Sequence, residues 1–256
     1  MIYLKLFKKP TRNPLPASIP DNAMCGRFNV FDSPEVQLLL KLLAVEGAQL
    51  RYSGDIAPGA TISIIRQSEQ GRQVCDAIWW LMLDRQTLKP NYDYASFNSR
   101  WDKLNTKGSL AYQPYRQGRC VIPASAFIEG LGDRRTYHQI ALQNEAIAFG
   151  GLYKHYLDPQ TDESIYTASI ITLGPLPQWQ HIHPKSMPLM LPAQDTQLIN
   201  TWLDPKQQDV SQFESLLKPR IRSSQRVTPI GKPSQWNPIG ESFMLDPEPR
   251  SAEKSE

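Results

Sequence analysis

Cysteine and histidine are scarce in this chain, and long apolar runs are missing from it. The three cysteines, Cys25, Cys75 and Cys120, lie 50 and 45 residues apart. An odd number with no close pair argues against a disulfide framework and against a zinc knuckle, and it points to a reducing cytoplasm. No apolar stretch approaches the roughly 20 residues that span a bilayer, so a soluble chain with no membrane partner is expected. Two of the four histidines form a His-x-His pair, His181 and His183, with no third ligand nearby. No metal and no cofactor are expected. Repeats and low-complexity linkers are also absent.

Forty per cent of the 256 residues are apolar, enough for one sizeable core. The net charge of +3 is local: Lys5, Lys8, Lys9 and Arg12 against Asp21 account for all of it. The remainder balances at 24 basic and 24 acidic residues, so global charge gives no sign of a nucleic-acid partner. Between residues 85 and 135, however, nine Lys and Arg face only four acids. A basic binding stripe and an ordinary solvated face both fit that bias.

Residues 1–23 carry four prolines and no periodic apolar pattern, and Lys5 interrupts the only apolar run, so a signal peptide is not indicated. A disordered extension is expected there, and Met24 ahead of Cys25 is either the true start or the end of a removed leader. The body, 24–245, reads as one domain, with a loose tail at 246–256. A helix is expected from Pro34 to about Glu46, capped by Ser33 and ended by Gly47, with Leu38, Leu39, Leu42 and Leu43 as its apolar stripe. Strands are expected at 60–67, 74–83, 119–128, 137–143, 146–157 and 165–173, then short helices near 194–203 and 208–217. The fold class is therefore α+β, a single domain with a β-rich, barrel-like antiparallel core and flanking helices.

Four stretches carry possible chemistry. In Cys25-Gly26-Arg27-Phe28, loss of Met24 would leave Cys25 with an α-amine and a thiol on adjacent carbons. Their unperturbed pKa values, about 8 and about 8.5, give each a nucleophilic fraction at neutral pH. Together they can condense with an aldehyde to a Schiff base and then a thiazolidine; a small buried cysteine is the plain alternative. Asn98-Ser99-Arg100-Trp101-Asp102 offers an amide and a phosphate-gripping guanidinium, or an ordinary turn. The apolar run from Arg119 to Ile128 ends in Glu129, whose burial would suit it to proton transfer, although a structural ion pair with a nearby arginine fits equally. His181-Ile182-His183-Pro184-Lys185 supplies a candidate general acid–base, His183 being preferred because Ile182 precedes it.

Taken in order with Ala57-Pro58-Gly59, Trp79-Trp80 and Met187-Pro188, these stretches resemble the SOS response-associated peptidase (SRAP) family of abasic-site processing proteins. The resemblance covers about residues 24–190. It implies that Cys25 bonds to the opened deoxyribose of an abasic site through amine and thiol. It further implies that Asn98 holds the sugar, that Glu129 relays protons at the amine, and that His183 acts at the ring oxygen and in reversal. Arg27, Arg100 and Lys185 would contact phosphates, and Trp79 and Trp80 would wedge or stack against bases, with core packing an equal reading for one of them. The implied partner is single-stranded DNA containing abasic sites, bound by a monomer. The sequence departs from the family in having Gly130 where a tryptophan is usual after the glutamate, and in the spacing and lysine of His183-Pro184-Lys185-Ser186-Met187. A cysteine peptidase using Cys25, Glu129 and His183, acting mainly on its own N-terminal segment, is the alternative, and a non-catalytic reader of modified bases a weaker one.

Overall fold

The computed structural model describes residues 26–248. Cys25, the residue on which the sequence reading turns, lies just outside that range, as do the 1–23 extension and most of the tail.

Among the described residues thirteen strands build two sheets. They are β1 (Arg27–Val30), β2 (Ser53–Ile56), β3 (Thr61–Ser68), β4 (Gly71–Ile78), β5 (Asn98–Arg100), β6 (Arg119–Ala124) and β7 (Ala126–Gly130). These are followed by β8 (Tyr137–Leu142), β9 (Ile147–Leu157), β10 (Ser164–Leu173), β11 (Met187–Pro188), β12 (Gln225–Ile230) and β13 (Phe243–Leu245). One sheet runs β11-β10-β4-β3-β6-β9, and pairing of β9 back onto β10 closes five of its strands into a barrel. Closure removes the exposed edges that an open sheet leaves unpaired. The other sheet runs β13-β12-β8-β7-β1-β2. Pairing is antiparallel except where β10 runs alongside β4 and β5, which are parallel to it. The α+β, barrel-like reading holds with that one amendment.

The expected strand at 119–128 is two strands in two different sheets. Ser125 makes the break: its N–H donates to the Asn29 carbonyl at 2.8 Å, and the Ala126 N–H donates to Asn29 Oδ1 at 2.9 Å. The chain thus leaves the barrel at Ala124 and joins β1 as β7, which is what carries Glu129 to the second sheet.

The helix α1 (Pro34–Leu42) is capped by Ser33 as expected but stops before Glu46. Ala44 takes a left-handed conformation (φ 55°), and Ala44 and Val45 donate to the carbonyls of Lys41 and Leu40 at 3.0 and 2.9 Å. That paired closure terminates a helix without needing Gly47. Its buried stripe is Val36, Leu39, Leu40 and Leu43, the spacing of one helical face, whereas Leu38 faces solvent. Helices α2 (Tyr112–Gln117) and α3 (Thr196–Leu203) flank the barrel, and a 3-10 turn replaces the helix expected near 208–217. One continuous apolar cluster joins both sheets and the helices.

Candidate active site

Glu129 is the fourth residue of β7 and is 2% exposed. Opposite it comes His183, held by the 3-10 turn Pro177–Trp179, whose Trp179 carbonyl accepts the His183 N–H at 2.8 Å. That turn is anchored in the core: the Trp179 indole stacks on Phe127 with ring centres 6.0 Å apart and donates to Gln225 at 3.0 Å. His183 Nδ1 lies 2.6 Å from the Gly130 carbonyl and 3.7 Å from Glu129 Oε2. A carbonyl can only accept, so Nδ1 carries the proton and the neutral ring keeps its lone pair on Nε2. Nε2 is buried and has no hydrogen-bond partner among the described residues. Burial is the main force lowering the His183 pKa from its ordinary value, with Lys185 pushing the same way and the Gly130 contact opposing. The imidazole is therefore a neutral base at pH 7. His181 is exposed.

The start of β1 runs toward this pair. Arg27 is opposite Ile128, one residue short of Glu129, and Cys25 precedes Arg27 by two residues in sequence. Arg27 is ion-paired with Asp55 of β2, and the other Asp55 oxygen accepts the Trp236 indole N–H at 3.0 Å. That ion pair engages Nη1 of the guanidinium and leaves the side chain 26% exposed. Asn98 opens β5, next to Phe97. Phe97 packs edge-on to Trp79 (5.9 Å), and Trp79 packs edge-on to Phe28 (4.8 Å). That aromatic chain ties the start of β5 to the start of β1.

Trp79 and Trp80 do not serve as base platforms. They are 0% and 2% exposed, and their indole N–H groups donate inward to the carbonyls of Phe97 and Asn91 at 2.9 and 3.0 Å. Both are core residues, because a buried indole needs a partner for its N–H and finds one in the backbone of the next strand connection. Of the basic residues at 85–135, Arg119 is likewise structural. It is 3% exposed and donates to the carbonyls of Tyr115, Arg116, Trp202, Asp204 and Gln207, and burial lowers its pKa to about 10. Arg100 and Lys185, by contrast, both line one surface cleft of about 470 Å³.

Gly130 has a structural reason as well. A Cβ there would sit 2.9 Å from Cδ1 of Tyr137, so that ring fills the room a larger side chain would take. Among the described residues no group of three His, Cys, Asp or Glu could hold a metal, and no helix is long and apolar enough to cross a membrane. The Gly130 carbonyl, Asp55 and Trp236 gave no local signal in the sequence, since each acts on a partner distant in the chain.

Comparison with known proteins supplies the family. The model of the SOS response associated peptidase (SRAP) family matches residues 24–233. The chain belongs to the SRAP family. Among SRAP-like relatives, the abasic site processing protein YoqW of Bacillus subtilis is 29% identical over 204 residues, covering 77% of this chain and 87% of YoqW. YobE of the same organism is 28% identical over 204 residues, covering 77% of this chain and 89% of YobE. Two crystal structures share the architecture seen here. A protein from Bordetella bronchiseptica has a TM-score of 0.63 at 15% identity and covers 81% of this chain and all of its own. One from Bacteroides thetaiotaomicron has a TM-score of 0.60 at 22% identity, covering 80% of this chain and 92% of its own. The family match begins at Met24, the residue before Cys25.

Proposed function

We propose that this protein captures abasic sites in single-stranded DNA covalently, in the cytoplasm, through an N-terminal Cys25, and that residues 1–23 are no part of the working unit. The observation that carries the reading is the Glu129–His183 pair, 3.7 Å apart, nearly excluded from water and lying where β1 points back toward Cys25. The two relatives' names, abasic site processing proteins, supply the substrate class.

Three steps follow. His183 Nε2 takes the proton of the anomeric hydroxyl and returns it to the ring oxygen, opening the sugar to its aldehyde. The Cys25 amine adds to the aldehyde carbon and one water leaves, with Glu129 carrying the protons of addition and dehydration. The Cys25 thiol then adds across the resulting C=N bond, its proton passing to nitrogen, and the thiazolidine closes. Asn98 positions the sugar, and Arg100 and Lys185 hold flanking phosphates. A ring at C1′ would leave no aldehyde to drive β-elimination, so the strand would stay intact.

The family's description as a peptidase favours a second reading, in which the same pair activates the Cys25 thiol against a peptide bond. One experiment separates the two. The chain beginning at Cys25 is mixed with single-stranded DNA bearing one abasic site and run on a denaturing gel. A heat-resistant shifted band, lost in Cys25→Ala and replaced by a labile one in Cys25→Ser, is the expected result. No band, with cleavage of a peptide spanning residues 1–30, would establish the peptidase instead.

A further inference from the structure

Of the six tryptophans, all among the described residues, Trp79, Trp80, Trp179 and Trp202 are at most 2% exposed and Trp236 is half-buried, whereas Trp101 is 46% exposed. Trp101 begins a 3-10 turn directly after Arg100 and lines the cleft of about 470 Å³ that also holds Arg100, Lys185, Thr172 and Ser186. Leaving an indole half in water forgoes burial that the rest of the fold exploits, so a surface tryptophan beside two cations calls for an occupant. Gly174 and Pro219 lie beside the indole: a Cβ on Gly174 would stand in ordinary van der Waals contact with both, 3.5 Å from the Trp101 indole nitrogen and 3.6 Å from Pro219.

Two features of the cleft point to a charged, hydrogen-bonding occupant. Thr172 and Ser186 are 1% and 3% exposed, and neither hydroxyl has a hydrogen-bond partner among the described residues. Arg100 uses Nε and Nη2 on Asp102, at 2.9 and 3.0 Å, and its side chain remains 62% exposed. Asp102 therefore fixes the guanidinium's orientation without sealing it off. The cleft is also tied to the reaction centre: β5, which begins at Asn98, ends at Arg100, and Thr172 of β10 is the register partner of both Arg100 and Pro188.

We propose that Trp101 is the stacking platform for the nucleobase next to the abasic sugar, with Arg100 and Lys185 holding that nucleotide's phosphate. The assignment rests on the abasic-site reading above and gives it what the buried Trp79 and Trp80 cannot, an aromatic surface open to a base. The occupant is a nucleotide of single-stranded DNA, because a base paired in a duplex keeps its faces stacked on its neighbours.

The test uses two single-stranded oligonucleotides with a central tetrahydrofuran, an abasic analogue without an aldehyde. One keeps its neighbouring bases, and the other has both neighbours replaced by tetrahydrofuran as well. Binding of wild type, Trp101→Ala and Trp101→Phe is followed by fluorescence anisotropy. Trp101→Ala is expected to bind the base-flanked strand about tenfold more weakly, within the range of one base–aromatic stack. Trp101→Phe should recover most of the loss, and on the strand without neighbouring bases wild type and Trp101→Ala should bind alike. Equal binding of wild type and Trp101→Ala to the base-flanked strand overturns the proposal. So does a deficit of the same size on both strands, which would mark a structural role. Cross-linking of wild type to a true abasic site is scored in parallel. Stacking without a cross-link would refute the capture chemistry while upholding the platform.

Discussion

Replacing Glu129 by glutamine keeps the size and the hydrogen-bonding edge of the side chain but removes its capacity to exchange a proton. Glu129 is 2% exposed and its Oε2 is 3.7 Å from His183 Nδ1, so bulk water has little access to take over its task. A positioned acid–base group contributes about 10²- to 10⁴-fold to a rate, corresponding to about 3–5 kcal/mol of barrier. Single-turnover cross-linking to an abasic single strand, followed by denaturing gel, should therefore slow by about 10²- to 10⁴-fold in Glu129→Gln. Because the loss falls on the chemical step, affinity for the tetrahydrofuran strand should stay within about threefold of wild type. Circular dichroism and thermal melting would verify that the variant is folded. A cross-linking rate within about threefold of wild type in a folded Glu129→Gln protein would refute proton relay by this carboxylate.

Further outcomes follow from the same structure. Burial lowers the pKa of both His183 and His138 from 6.5, so between those folded values and 6.5 the unfolded chain binds protons that the folded chain refuses. Stability should accordingly decline as pH falls through that window, seen as a lower Tm at pH 5.5 than at pH 7.5, and His183→Asn should remove part of the difference. Arg119→Met should lower unfolding free energy by about 3–5 kcal/mol in urea titrations, because five carbonyls, two buried and three part-buried, lose a charged donor. Lys185→Ala should weaken binding to a single strand and reduce the slope of log K against log salt by about 0.7, as expected for one lost phosphate contact. Arg27→Ala should instead change stability more than DNA affinity, since its guanidinium is paired with Asp55.

Much of the fold was legible because local periodicity matched local structure. The strands β3, β8, β9 and β10 and the Ser33-Pro34 helix start carry their own signals. The break at Ser125 was not legible, because β6 and β7 are buried along nearly their whole length and read as one apolar run. The information that parts them is Asn29, nearly a hundred residues away, which satisfies the backbone on both sides of the break. Short strands such as β1, β2, β5 and β11 are too brief for any periodicity to show. In the site, Glu129 and His183 could be picked out as chemically able side chains, but their 3.7 Å approach depends on a 3-10 turn stacked on Phe127. Composition does not reveal which tryptophan is covered: Trp79 and Trp80 are both core residues, and the exposed indole is that of Trp101.

The most direct test is mass spectrometry of the adduct. Protein purified as the cell processes it is reacted with an abasic oligonucleotide, digested with nuclease and protease, and sequenced. The expected product is a peptide whose first residue is Cys25, carrying the deoxyribose remnant on both its nitrogen and its sulfur, with the loss of a single water. A stable adduct on a chain in which Met24 still precedes Cys25, or on any residue other than Cys25, would contradict the account.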